Sequence, residues 1–454
     1  MLEIRNPATE AVIATVQTDT PESVHRKVVA ARTAQRAWAR QPLAERKAVL
    51  ARFGELMSAS EQELAATLTS EVGKPLGQAL NELRGTLGRL EFFLGNVDAA
   101  VQPEVVLTTD GLEERITHEP LGVIVNISAW NYPWFVGSNV FIPALLAGNA
   151  VLYKPSEFAT LTGQAMARLL AEAGLPDGLF GLVIGTGEVG AALLSERIDG
   201  VFFTGSYATG RRINEQVSSH LVKVQLELGG KDPVYIADDV DPKATAEAVA
   251  DGAFYNTGQS CCAVERIYVH ADVYDAFVAA FEETVRGFVV GDPTVAGTYI
   301  GPLTRKPQLD VLEDQVADAV AQGARLVTGG KRREGTGYYF EPTVLVDVNH
   351  DMKVMRDESF GPIIGIQKVG DDGEAIAMMN DTEYGLTASV YTTGRERAER
   401  ILAEIQAGTA YWNCCDRVSP RLPWSGRGHS GIGLTLSHYG ITTFLQPKAY
   451  HLRG

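Results

Sequence analysis

The spacing of apolar residues changes character near residue 120. Before it, Val24, Val28, Val29 and Ala31, and again Leu50, Phe53, Leu56 and Met57, recur at helical intervals, which predicts helices across 22–100. A more polar strand-like piece follows around Val105 to His118. From Pro120 short apolar runs take over: VIVNIS at 123–128, AVLYK at 150–154, LFGLVIG at 179–185, GVFFTG at 200–205 and VKVQLE at 222–227. Helix-like stretches near 160–173, 188–196 and 207–219 separate them. This alternation predicts an α/β fold with a parallel sheet covered on both faces, whose ligands bind beyond the carboxyl ends of the strands.

A second alternating region begins near Pro233. Helices are expected at 243–254 and 272–287 around the strand RIYVHA at 266–271, then a helix near 310–322 and strands at Arg325–Thr328 and Ile363–Lys368. The sequence shows no internal repeat, low-complexity tract or long linker. The final TTFLQPKAYHLRG reads as an edge strand that pairs with another element or another subunit.

Length and composition narrow the function. A chain of 454 residues with 45% hydrophobic and 21% charged residues suits two or three cooperating globular domains. The net charge of −16 disfavours nucleic acid as a partner. No apolar run approaches the roughly 20 residues of a spanning helix. The N-terminus lacks a basic start followed by an apolar run, so a cytoplasmic protein is expected. The four cysteines form two adjacent pairs, Cys261-Cys262 and Cys414-Cys415. Neither pair has metal-ligand spacing or a histidine cluster nearby, so no metal site is expected and a thiol is open to chemistry.

Four stretches carry candidate chemistry. The run NTGQSCC at 256–262 lies between a helix and a strand, where it could present Cys261 on a loop as a nucleophile; a lone cysteine is more readily a small buried hydrophobe, so the site needs company. Glu227, at a strand end before two glycines, could be a general base or a solvated turn residue. Asn131 follows the 123–128 strand, where its amide could hold an oxyanion or cap the next helix. GTGEVG at 185–190 matches a dinucleotide-binding turn, a weak signal alone, and Gly205-Ser206 forms a second strand-to-helix turn able to meet a pyrophosphate.

Taken in order, AWNYP at 129–133, KPSE at 154–157, FTGS at 203–206, ELGG at 227–230, GQSC at 258–261 and ESFGP at 358–362 resemble the aldehyde dehydrogenase superfamily over nearly the whole chain. The resemblance implies a Rossmann-like cofactor domain from 1–101 and 121–229, an α/β catalytic domain from 230–429, and a small β oligomerisation element from 102–120 and 430–454 of a homodimer or homotetramer. It makes Cys261 the nucleophile, Glu227 the base and Asn131 an oxyanion donor. Trp130, Lys154, Glu157, Gly205, Ser206, Glu358 and Phe360 become cofactor contacts, with GTGEVG a secondary turn. Tyr132, Phe135, Asn139, Cys262, Val418 and Trp424 become pocket positions.

The expected reaction is oxidation of an aldehyde to a carboxylic acid through a thioester on Cys261. Glu157 favours NAD+, with NADP+ the alternative because Lys154 could offset a 2′-phosphate. The segment PWSGRGHSG at 423–431 departs from the family's usual Pro-Phe-Gly-Gly, which affects pocket shape. Arg417 and Arg421 could pair with the carboxylate of a semialdehyde, or be solvated loop residues or subunit contacts. The competing readings are a CoA-acylating dehydrogenase, against which Glu227 argues; a cysteine hydrolase, for which no histidine is placed; and a non-catalytic scaffold, against which the full set of Cys261, Glu227 and Asn131 argues.

Overall fold

The computed structural model describes residues 1–454. The strand Val123–Ser128 sits inside a six-stranded sheet, ordered Gly431–Ile432, Lys223–Glu227, Gly200–Thr204, Val123–Ser128, Ala150–Pro155 and Phe180–Leu182. All neighbours run parallel except Gly431–Ile432, which is antiparallel to Lys223–Glu227. Every residue of Val123–Ser128 and Ala150–Pro155 is buried, which is why both read as mainly apolar runs without the alternation of a half-buried strand. After Phe180–Leu182 the chain returns to lay Gly200–Thr204 on the other side of Val123–Ser128. That reversal opens a crevice beyond the carboxyl ends of these two strands.

The long helix Leu76–Val101 packs against the helix Pro133–Leu146. The contact contains a buried charge pair. Lys74, just before the long helix, forms an ion pair with Glu82, and both side chains are wholly buried. Glu82 also accepts from the amides of Trp134 at 2.9 Å and Phe135 at 3.4 Å, placing an anion on the first turn of Pro133–Leu146.

A second, seven-stranded sheet runs Arg325–Thr328, Thr343–Val346, Ile363–Val369, Arg266–His270, Pro233–Ile236, Thr387–Tyr391 and Thr409–Trp412. It is parallel except for its first strand. A third, antiparallel sheet joins Glu104–Thr109, Leu112–Pro120 and Leu445–Arg453. No helix is long and apolar enough to cross a membrane.

Three local expectations change. The polar piece at 105–118 is a hairpin, because Asp110-Gly111 supplies a tight turn with Gly111 at φ 77°. Of LFGLVIG only Phe180–Leu182 is strand; the Asp19 carboxylate and amide take the backbone N–H and C=O of Ile184, each at 2.8 Å. Residues 430–454 do not act as one piece: Gly431–Ile432 returns to the first sheet, and only Leu445–Arg453 enters the third.

Candidate active site

A cavity of about 760 Å³ opens between the first two sheets, and both Cys261 and Glu227 line it. Tyr132, Phe135, Asn139, Cys262, Arg417, Val418 and Trp424 line the same space. Tyr132 and Phe135 stack with centroids 5.7 Å apart, forming an aromatic wall at the start of the Pro133–Leu146 helix.

The cysteine loop owes its shape to three successive left-handed residues, Asn256, Thr257 and Gly258, at φ 55°, 59° and 69°. Asparagine and glycine tolerate this region, whereas a β-branched threonine is strained there. Gly258 is also required sterically, since a Cβ there would lie 2.3 Å from the Gly361 carbonyl oxygen. The surroundings hold the turn. The Asn256 amide donates to Gln78 Oε1 at 2.9 Å, the Gly301 amide to Thr257 Oγ1 at 3.1 Å, and the Thr304 amide to Gln259 Oε1 at 2.9 Å. Cys261 is left partly exposed at the cavity, while Cys262 turns inward.

The two thiols differ in consequence. Cys262 Sγ donates to Asp416 Oδ1 at 2.9 Å. Its pairing with the Cys261 sulfur, its burial and the Asp416 carboxylate together hold its thiol well above the ordinary range. Burial raises Asp416 itself to about 7, against the opposing hydrogen bond from Cys262.

Asn131 leaves the Val123–Ser128 strand and reaches the cysteine loop, where its Nδ2 donates to the Gln259 carbonyl at 3.1 Å. An amide nitrogen carries two protons, so one donor remains beyond that bond. Asn256 Nδ2 clamps both pieces, donating to the carbonyls of Asn131 at 3.2 Å and Gln259 at 3.1 Å. Glu227 is 5% exposed at the end of its strand. Burial pushes its carboxyl up to about 7, partly offset by a hydrogen bond from Thr435 and by the Arg89 cation.

The residues expected at the cofactor surround the crevice. Ser206 caps the Tyr207–Val217 helix, and the Gly205 amide donates to the Glu227 carbonyl at 3.0 Å. Lys154 is 4% exposed, and its Nζ makes one bond, to the Pro155 carbonyl at 3.3 Å, leaving ammonium donors for a ligand. Glu157, in the short turn after it, accepts from Ser156 Oγ at 3.3 Å. Gly190, the last glycine of GTGEVG, packs against the Lys154 stem, where a Cβ would stand 3.5 Å from Cδ and Cε. From the second lobe, Glu358 Oε1 accepts from the Gly230 amide at 3.1 Å, and burial beside Glu265 raises Glu358 to about 8. Trp130 and Phe360 meet edge to face across the lobes, 5.6 Å between centroids. Bare glycine backbone, a buried ammonium with spare donors and a helix N-terminus together fit a dinucleotide.

The sequence model of the aldehyde dehydrogenase family matches residues 1–450. The chain belongs to that family. A betaine aldehyde dehydrogenase of Brucella anthropi is 37% identical over 444 residues, 95% of this chain and 91% of that one. A succinate-semialdehyde dehydrogenase [NADP(+)] of Deinococcus radiodurans is 36% identical over 416 residues, 91% of this chain and 87% of that one. The solved lactaldehyde dehydrogenase of Escherichia coli superposes with a TM-score of 0.96 at 34% identity, covering 100% of this chain and 96% of the other. This aldehyde dehydrogenase is therefore an NAD(P)-dependent enzyme that oxidises an aldehyde to a carboxylic acid.

Several functional neighbours in the dehydrogenase escaped the sequence reading. Glu265 accepts from Lys231 Nζ at 2.6 Å and from the amides of Ser359 and Phe360, each at 3.0 Å, and so anchors the loop bearing Glu358 and Phe360. Arg89 lines the cavity from the long helix. Its signal was visible: Glu82 and Arg89 stand seven residues apart, two turns, on a buried face that also carries Gln78, Ala79, Leu83, Thr86, Leu90 and Phe93. Asp416 and Thr435 carry no comparable local signal.

Proposed function

We propose that Cys261 attacks the carbonyl carbon of an aldehyde, that Asn131 and the Cys261 backbone N–H hold the resulting oxyanion, and that Glu227 serves as the base. The observation that carries this reading is that a partly exposed thiol and a buried carboxyl near neutrality face the same cavity. Cys262 is unsuited to the attack, being buried and committed to Asp416. The Cys261 thiol, its proton given up to solvent, adds to the aldehyde as the thiolate and gives a thiohemiacetal whose oxyanion each donor stabilises by ~3 kcal/mol. A nicotinamide bound in the crevice would supply the hydride acceptor, and the carbon attached to Cys261, once it has lost its hydride, is a thioester. Glu227 then takes a proton from water, which releases the acid and frees the thiol.

Trp130, Lys154, Glu157, Gly205, Ser206, Glu358 and Phe360 hold the cofactor. NAD+ is the preferred form, because the Glu157 carboxylate suits a free ribose hydroxyl and repels a 2′-phosphate. All four cysteines are free, which fits a reducing compartment such as the cytoplasm. The exposed Val105 and Val106, on the Glu104–Thr109 edge strand, support a homodimer or homotetramer assembled through the third sheet.

The test follows the ultraviolet absorbance of reduced nicotinamide with a panel of aldehydes. Cys261→Ala is expected to abolish the signal. Glu227→Gln is expected to give about one equivalent of reduced cofactor per site and then stall with an acylated Cys261, visible by mass spectrometry. Steady turnover by Cys261→Ala would reject the assignment.

A further inference from the structure

Arg89 is the feature of the cavity that the proposed chemistry does not use. Its side chain is 5% exposed, yet no carboxylate lies within ion-pair distance of it. The guanidinium rests 3.6 Å above the Phe135 ring centroid, and Nη1 reaches the Gly85 carbonyl at 3.3 Å. Nε has no partner. Gly85 permits this stack, because a Cβ there would stand 2.6 Å from the Phe135 ring. Burial lowers Arg89 to about 10, so it remains a cation at neutral pH.

The acidic groups on the same lining are already engaged. Glu82 pairs with Lys74 and caps the neighbouring helix, Asp251 accepts from Tyr299 at 2.5 Å, Asp416 accepts from Cys262, and Glu227 accepts from Thr435. Glu91 is exposed. Free binding capacity in the buried wall is therefore cationic at Arg89 and polar at Asn139, whose Oδ1 is buried without a partner one turn beyond Phe135. Arg417 and Arg421 add positive charge at the exposed side.

We propose that the cavity takes an aldehyde bearing a carboxylate at the end remote from the carbonyl, and that Arg89 binds that carboxylate. A guanidinium held flat by an aromatic ring presents a fixed fork, the geometry that suits a planar carboxylate. The proposal rests on Cys261 being the attacking thiol, since that fixes which end of the substrate faces away. Gly88, with open space where a Cβ would be, leaves the wall beside Arg89 clear.

The test compares the wild-type enzyme and Arg89→Met on succinic and glutaric semialdehydes, each beside the straight-chain aldehyde of equal length without the carboxylate. Wild type is expected to favour the semialdehydes by at least about 10-fold in kcat/KM, mostly through KM. Measured in alkaline buffer, where Glu227 is ionised with or without the Arg89 charge, Arg89→Met is expected to lose about 100-fold on semialdehydes while staying within about 3-fold on neutral aldehydes. Arg89→Lys should recover part of the loss. In wild type, glutarate should also slow alkylation of Cys261 by iodoacetamide, a readout that does not depend on any variant folding. Equal losses on charged and neutral aldehydes would show Arg89 acting through Phe135 or Glu227 and overturn the proposal, as would a wild type indifferent to the carboxylate or unprotected by glutarate. A wild type silent towards every aldehyde would instead defeat the Cys261 reading beneath it.

Discussion

Thr435 donates its hydroxyl to Oε1 of Glu227, and the strand just before it, Gly431–Ile432, is paired with the strand that ends in Glu227. The carboxylate proposed as base is thus held by a segment 208 residues away in sequence. A donor to a carboxylate favours its ionised form, so this hydroxyl opposes the burial that lifts Glu227 to about 7. Thr435→Val is expected to raise Glu227 further. The rising limb of the kcat profile should move alkaline by about one pH unit, for a lost hydrogen bond of ~1.5 kcal/mol. Activity near neutrality should fall and recover in alkaline buffer. A profile superposable on wild type would separate Thr435 from the base.

The neighbouring thiols give a contrasting pair. Cys262→Ala removes the donor to Asp416 but leaves Cys261 in place. Activity should persist within about 10-fold, and iodoacetamide should still inactivate the enzyme at one site. Cys262→Ala losing as much as Cys261→Ala would mean that the assignment of the two sulfurs is reversed.

Glu265 is expected to join stability to cofactor binding. It is paired with a fully buried Lys231 and accepts two amides of the loop carrying Glu358 and Phe360. Removing one partner of such a pair strands the other charge, at a cost of ~3–5 kcal/mol. Glu265→Gln is expected to lower the melting temperature and raise the cofactor KM together. Adding Lys231→Met should restore part of the stability without restoring the KM, because glutamine keeps a single oxygen and one of the Ser359 and Phe360 amides would still lack its acceptor.

Gly258→Ala meets two obstacles, a left-handed φ of 69° and the Gly361 carbonyl 2.3 Å from the new Cβ. Strain of this kind costs ~1–3 kcal/mol. Since Gly361 belongs to the loop after Phe360, the variant should lose activity and weaken cofactor binding, measured by titration of the nicotinamide's protein-bound fluorescence.

The parts of this architecture written in local pattern were legible. Val123–Ser128 and Ala150–Pro155 are buried on both faces and read as mainly apolar runs, so Asn131 and Lys154 could be placed at strand ends. Glu227 and Ser206 followed for the same reason. The hairpin at 104–120 was blurred because all of Glu104–Thr109 is exposed, which erases the alternation of a half-buried strand. Asp416 and Thr435 were not legible, because their partners come from strands or loops more than a hundred residues away. Arg89 lay between these cases: the charge on the apolar helix face was visible, but its lack of an anionic partner is a property only of the folded wall.

The run Asn256, Thr257 and Gly258 has a bearing on how the enzyme fails. Three left-handed residues in succession have no intrinsic preference for that shape, so Gln78 and Gly301 from other segments must impose it. A denaturant that loosens the Leu76–Val101 helix or the 301 loop releases the turn while the buried parallel strands still stand. Catalytic output should therefore decay at urea concentrations where circular dichroism still reports an intact protein, and return promptly on dilution. The loop of the proposed nucleophile is expected to act as the fuse of the molecule, the first element to open under stress and the first to reset.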